Sequence, residues 1–591
     1  MPVAQQRRAV TASLAAPIGG WNARDSVAEM NPLDAVQMVN FFPTPSDVTL
    51  RKGYTKTCTG ITGEVQTLMN YSSPTQQKIF GVNAAGDILD VSGASPVSAF
   101  PVSLGNGKLQ HQVITTAGGS FMVAVNGADA MMVYDGTRWQ KSAGTSTAQT
   151  ILSMTRGGTG NLTATVTTSI AHGLVTGNTI TITGAIPTEF NGTYRITVTG
   201  GTTFTYIMAT APSGDATTQG TYIINYSITG IDGDKLIGVN LHKERLFFVE
   251  EQSLSFWYLP VDSVSGVLTE YNLGGVARSG GFLQALGTWT LDAGYGVDDY
   301  LVAITSQGEA IVYKGSNPSD ANDWSLIGVW QLGQTFSRRC FYKFGGDLLL
   351  LTEDGLVPLA SALQSSRLDP RINVTDKIFF AISQAADLYA TNFGWQIIYF
   401  AKHNMLIINI PLGSGKYEQF VMHNITKSWA RFTNINAACF EISGDEVYFG
   451  SNGFVAKYYN GLSDGGNNIK AWVQQAYSYF DARGQQKRFT MVRPIFQIEG
   501  AIPTVLCGLS TDFEVQDLTG QVSFNPNLNQ IGIWDVATWD NKKWGGPVQS
   551  KLWQGVTGIG YAGSISLNVA AQGLELRWAS TDFVMERGGV L

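Results

Sequence analysis

The chain has 591 residues, more than one ordinary domain holds and enough for several hydrophobic cores. Charged residues make up only 14%, while aromatics reach 11% and glycine fills 67 positions, which weighs against a helix-rich protein and for β-structure with many turns. The net charge is −7 and the basic doublets Arg7-Arg8, Arg338-Arg339 and Lys487-Arg488 stand apart, so a protein that grips nucleic acid through clustered lysine and arginine is excluded and these charges read as solvated.

Residues 9–20, AVTASLAAPIGG, follow two arginines as the apolar part of an export signal would, but Thr11 and Ser13 interrupt the run and a signal is not expected. Residues 1–60 are expected to form an N-terminal arm with short strands. From there a hairpin recurs. Ile79 opens IFGVNAAGDILDVSG and Phe121 opens FMVAVNGADAMMVYDG. Further copies start at Arg245, Tyr300, Leu348, Ile397 and Val447. Each copy joins two apolar strands through a few Asn, Asp or Gly residues, which tolerate the left-handed backbone of a tight hairpin. Strands that are apolar almost throughout are buried on both faces. In VYDGTRW, Asp135 reads as a turn residue accepting backbone N–H bonds, and Trp139 as a side chain packed between repeats.

The steps between starts are 42, 124, 55, 48, 49 and 50 residues. A hairpin period of roughly 40–50 predicts a β-propeller with one four-stranded blade per period. Residues 61–147 and 224–465 would hold six to eight blades. An irregular β-sandwich chain sharing common hairpin sequences is the alternative, and the regular spacing argues against it. The long step contains an insert over 148–223. Between Thr150 and Thr221, 22 of 72 residues are Thr and four are charged. Thr alternating with Val, Ile and Tyr suits half-exposed strands, so this is a separate small β-domain in a blade loop. Its HGLVTGN turn and NGTY strand start resemble a Thr-rich β-module of phage tail proteins. Residues 466–591 read as a C-terminal β-sandwich. Four tryptophans lie between Trp534 and Trp553, and core and interface roles stay equally open for them.

Little chemistry is apparent. Cys58, Cys340, Cys439 and Cys507 have no CxxC spacing, which argues against disulfides or zinc and for synthesis in a reducing cytosol. The chain has no apolar run of about 18 residues. His111, His172, His242, His403 and His423 show no metal-ligand spacing, and His172 reads as structural. GNGKL at Gly105 and GSGKY at Gly413 are not phosphate-binding P-loops, and no GxSxG elbow occurs. Glu244, Glu250 and Glu251 are the acids a propeller glycosidase would draw on, but VYDGTRW fails the sialidase Asp-box pattern. Asp232 and Asp234 in DGD read as a turn rather than a calcium site. No catalytic, cofactor-binding or metal-binding residue is assigned, and an enzyme is not expected.

Three stretches carry a resemblance: VNFFPTPSDVTLRKGYT from Val39, NMLIINIPLGSGKYEQFVMHNITKSWARF from Asn404, and ARGQQKRFTMVRPIF from Ala482. In this order they resemble the tail nozzle, or packaged-DNA stabilisation, proteins of short-tailed (podovirus) phages. Asn40, Pro43, Pro45, Leu50, Arg51 and Gly53 match the first pattern. Met405 to Pro411, Thr426 and Trp429 match the second, with Met422 and His423 replacing the usual Tyr-Asp. Lys487, Arg488, Val492 and Arg493 match the third. The resemblance implies a structural virion-tail protein without a cofactor. It implies a homohexamer below a head-to-tail adaptor ring, with tail fibres, spikes or a needle as neighbours. Double-stranded DNA would pass its lumen without sequence-specific binding, and the distal end would contact the host envelope. A closed ring follows from one heterologous contact repeated by rotation. The rivals are a receptor-binding component of a tail fibre or spike, and a glycan-processing propeller enzyme.

Overall fold

The structure is a computed structural model describing residues 9–142, 148–174, 176–292, 297–362, 373–500, 503–514, 518, 523–524, 548–550 and 553–590. Trp534, Trp539 and Trp544 of the tryptophan cluster lie outside these residues. The chain is all-β, a propeller joined to further β-domains.

Among the described residues seven blades form the propeller. Blades 2, 3 and 4 each have four antiparallel strands, their first strands being Gln110–Thr116, Leu236–His242 and Leu283–Asp292. Blade 6 starts with Gln396–Phe400 and runs through Met405–Gly413, Lys416–His423 and Ser428–Phe432. Blade 5 has three strands, from Phe341–Phe344 to Gly355–Pro358. After Pro358 the sequence turns helical, and Phe379–Tyr389 buries Ile382, Ala385 and Ala386 at helical spacing. Among the described residues no fourth strand follows in this blade, and the Phe379–Tyr389 helix packs against blade 6.

The ring closes through one strand, Thr55–Ser72. Its first half pairs with Glu446–Lys457 as the outer strand of blade 7, and its second half is the inner strand of blade 1. Gly60 and Gly63 sit between the halves at φ +89° and +78°, and a Cβ at either would meet nothing, so the kink between blades uses glycine's backbone freedom alone. Around the ring each first strand lies beside the next, and Cys439–Ser443 of blade 7 lies beside Thr55–Ser72.

The repeated hairpins sit in these blades with two shifts. Five join a second and a third strand, but the copy at Ile397 joins the first and second strands of blade 6. The copy at Val447 is a single strand bent at Gly453 rather than a hairpin. Trp139 is fully buried against Phe80 of blade 1, the inter-blade packing expected of it.

The insert is a two-sheet sandwich around its own core of Ile180, Phe190, Phe204 and Tyr206, among others. It leaves blade 2 after Ser142 and rejoins at Tyr226, whose carbonyl accepts the Ser142 hydroxyl. It is docked, not tethered. Asn178 donates to the Lys141 carbonyl (2.5 Å), and Arg195 donates to the Trp139 carbonyl and lies 5.3 Å from the Phe100 ring.

The N-terminal residues and the C-terminal residues share sheets. Ala9–Ala15 pairs with Leu574–Val590, which also pairs with Val48–Leu50 and Gln485–Gly500. Asp34–Val39 pairs with Ile469–Gln475. We call this unit the platform. A ten-stranded sheet runs from blade 6 through Gly20–Trp21 and Asp34–Val39 into the platform without a break. Among the described residues no helix is long and apolar enough to cross a membrane.

Candidate functional site

The first strands of the blades surround an axial cavity of about 790 Å³. At the end where these strands finish, Lys243, Glu244, Asp299 and Lys343 line it. Thr290 links two of them, donating to Asp299 (2.5 Å) and accepting from Lys343 (2.7 Å). Lys243 and Glu244 occupy the blade 3 hairpin turn with φ of 46° and 60°, a left-handed pair that non-glycine residues rarely adopt.

Midway, His111 of blade 2 and Glu441 of blade 7 approach to 3.8 Å across blade 1. Burial pushes the Glu441 carboxyl up to about 8, against the pull of Arg339. Burial, with help from Arg339, pushes His111 down to about 4. At neutral pH both side chains are therefore uncharged. This contact spans blade 1 and narrows the channel, whose open volume is about 790 Å³. The channel cannot admit the roughly 20 Å width of a DNA duplex.

At the end where the first strands begin, Arg339 donates to Thr67 Oγ1 (2.8 Å) and the Leu109 carbonyl (3.1 Å). Its guanidinium carbon lies 5.0 Å from the centre of the Phe393 ring, and Lys108 Nζ lies 5.3 Å from the same centre. Arg338, beside it, pairs with Glu251 at 3.2 Å.

The acids read from the sequence go to three different places. Glu244 lines the channel, Glu250 accepts the indole N–H of Trp257 (3.1 Å), and Glu251 holds Arg338. Asp135 is a turn residue, its Oδ1 accepting the N–H groups of Thr137 (2.8 Å) and Arg138 (2.9 Å). Asp232 is the N-cap residue of, and Asp234 lies within, a short 3-10 turn, Gly233–Lys235, bordering an open cleft with Asp129, Lys141 and Glu250. His172 Nδ1 accepts the Leu174 N–H (3.0 Å) within the insert. His242 is buried, with Nε2 3.2 Å from the Gly315 carbonyl. His403 packs edge-on against Phe400 and Tyr459. All four cysteines are buried and free. Among the described residues no three His, Cys, Asp or Glu side chains gather as a metal site would require. Reasoning from hairpins missed His111, Arg339 and Glu441 as a group. They occupy or immediately precede the first strand of their blades, so a scan of that strand for charge would have found them.

The residues behind the resemblance build the junction of propeller and platform and, in the third stretch, the platform itself. Asn40 adopts φ 59°, its Nδ2 donates to the Lys470 carbonyl (2.7 Å), and its Oδ1 accepts the Thr433 N–H (2.8 Å). Arg51 is fully buried and uses all five donors. It takes Asp464 in a two-pronged pair (2.7 Å each) and also reaches Asn40 Oδ1 (2.8 Å), the Lys52 carbonyl (3.0 Å) and the Thr433 carbonyl (3.0 Å). At Gly53 any Cβ would lie 1.8 Å from the Ser463 carbonyl oxygen. From the second stretch, His423 packs at a tilt against Phe42 (5.5 Å), and its Nδ1 accepts the Thr426 N–H (3.3 Å) and lies 3.1 Å from the Thr426 hydroxyl. His423 thus holds its turn as Asp135 holds the one in blade 2. From the third stretch, Lys487 is fully buried and donates to the carbonyls of Ala482, Gln485 and Tyr561. Arg493 pairs with Asp582 (3.0 Å) beneath the Trp553 ring (4.5 Å).

Fold and site together define a seven-bladed propeller with a narrow polar channel, locked to a β-platform through a buried ionic junction. No protein-family model matches the sequence, and no curated protein does. Solved structures that overlap it include the β-propeller domain of Cps50 (Swd1) from Myceliophteria thermophila, at 10% identity, 69% of this chain, 99% of that one and TM-score 0.34. YCF48 from Cyanidioschyzon merolae overlaps at 10% identity, 71% of this chain, 97% of that one and TM-score 0.24. At these scores the overlap adds nothing to what the strand pairing establishes.

Proposed function

We propose that the chain is a structural subunit of a short-tailed phage, the nozzle that retains packaged DNA and conducts it during ejection. The observation that supports this best is spatial. The first two motifs meet where Phe42 touches His423, and the first and third flank one strand, Val48–Leu50 and Gln485–Gly500 both pairing with Leu574–Val590. Motifs that serve one mechanical joint would sit together in this way. Because the propeller channel is too narrow for a duplex, DNA would pass between copies, around the axis of a six-membered ring. The adaptor ring, fibres or needle, and host envelope would contact the ring from outside that axis.

Electron microscopy of the purified protein and of tails carrying it tests the reading. A six-fold ring with an opening of roughly 20 Å or more is the expected result. A trimer on a fibre or spike would replace it with receptor binding, and a free monomer with no tail association would reopen the enzyme reading.

A further inference from the structure

We propose that the mouth of the propeller channel beside Phe393 binds a phosphate-type dianion between Arg339 and Lys108. The first argument is charge without a partner. Both cations crowd the Phe393 ring, at 5.0 and 5.3 Å from its centre. Among the described residues neither has a carboxylate within ion-pair distance. Arg339 bonds only neutral groups, the Thr67 hydroxyl and the Leu109 carbonyl. Cations drawn out of water are normally paired, because an uncompensated charge there is costly.

Nearby acids do not fill the gap. Glu441 shares the cavity but is held protonated by burial, up to about 8. Glu251 is committed to Arg338 at 3.2 Å, and Glu64 accepts the Tyr417 hydroxyl at 3.0 Å. The wall also offers an unused donor. Gln110 lines the cavity and its Nε2 is buried without an acceptor among the described residues. Arg339 and Gln110 line the cavity of about 790 Å³, and Lys108, next in the chain to the lining residue Leu109, shares the Phe393 ring with Arg339, which makes a site short of an anion. The charge sets the class. A carboxylate would balance one cation, whereas a phosphate group carries about −1.5 to −2 at neutral pH and matches both. The phosphate could belong to a free small molecule or to a nucleic-acid backbone reaching the mouth.

Titration calorimetry on the full chain at low ionic strength tests this, with inorganic pyrophosphate, a short DNA duplex, sodium acetate, and sodium chloride at matched ionic strength. Pyrophosphate is expected to bind saturably, about 10-fold more weakly in Arg339→Gln or Lys108→Gln and not measurably in the double variant. Saturable pyrophosphate binding assigns the site to a free phosphate compound. Duplex binding alone, lost in the double variant, assigns it to backbone phosphate. Unliganded R339Q loses two hydrogen bonds and the Phe393 contact and should melt lower than the parent, so pyrophosphate affinity in K108Q is the deciding readout. K108Q removes a side chain with no hydrogen bond to the fold, so it keeps the test open should R339Q fail to fold. Absence of saturable binding, equal affinity in K108Q and parent, or acetate binding as tight as pyrophosphate would each overturn the proposal.

Discussion

Replacing Arg51 by Met tests whether the buried junction holds propeller and platform together. Arg51 satisfies Asp464 with two charged hydrogen bonds of 2.7 Å and supplies Asn40 and the carbonyls of Lys52 and Thr433. Met fills similar space but donates nothing. Asp464, only 5% exposed, becomes a buried carboxylate without its counter-ion. Removing one partner of such a pair costs about 3–5 kcal/mol. A chain with several domains need not unfold in one step, so hydrogen exchange at the junction is a better readout than a single melting temperature. The amides of Gly53, Tyr54 and Asn460 bond across it, to Gly461, Ser463 and Gly53 respectively. They should exchange about 10²- to 10³-fold faster in R51M, while those in the core of the insert should not change. Adding Asp464→Leu should restore much of the loss, because an apolar pair strands no charge. Unchanged exchange in R51M, or strictly additive losses in the double variant, would refute the clasp.

In the channel, Glu441→Gln removes a carboxyl raised from 4.5 to about 8 in the fold. Between those values the unfolded chain is ionised and the folded one is not, so this group lowers stability as pH rises. E441Q should melt with the parent at low pH and gain on it progressively towards pH 8, and a constant offset across a pH series of thermal melts would contradict this. His111, lowered from 6.5 to about 4, has the opposite sign. Its contribution is lost as pH falls through that window, so H111Q should flatten the acid side of the same curve, and an unaltered slope would count against it. At the insert, Gly177→Ala places a Cβ 2.4 Å from the Phe100 ring at φ +99°. G177A and Arg195→Ala should loosen the docked insert without unfolding it, seen as faster exchange at residues 176–179 and 194–196, and equal protection would disprove docking. Lys487→Met leaves three carbonyls without their donor and should cost the platform about 3 kcal/mol in urea unfolding, a loss under 1 kcal/mol being incompatible with the geometry.

The blades were legible because their second and third strands are apolar on both faces and their turns use Asn, Asp and Gly. The insert was legible from its threonines. What the hairpin pattern hid was pairing at long range. Nothing in TKTCTGITGEVQTLMNYS shows that its two halves serve two blades, since both read as one strand and only the glycines mark the bend. The pairing of Ala9–Ala15 with Leu574–Val590 was equally hidden, because an alternating strand does not name its partner across more than five hundred residues. The channel residues were missed for another reason. His111, Arg339 and Glu441 are ordinary polar residues in sequence, and only ring closure brings blades 7 and 2 to either side of blade 1. Arg51 was noticed as part of a resemblance, yet its role as a buried five-donor hub needed Asp464 and Thr433, which arrive from the other end of the propeller.

The unbroken sheet from blade 6 into the platform has a mechanical corollary. Force applied at the platform would travel sideways through ten hydrogen-bonded strands before reaching the innermost strand of that blade. A ladder loaded this way has no linker to flex, and the Arg51 clasp braces it on the neighbouring blade. A subunit built so would transmit torque as a lever does. Widening or narrowing of any assembly it forms would then come from whole subunits tilting against each other, with the yielding joints at the contacts between copies.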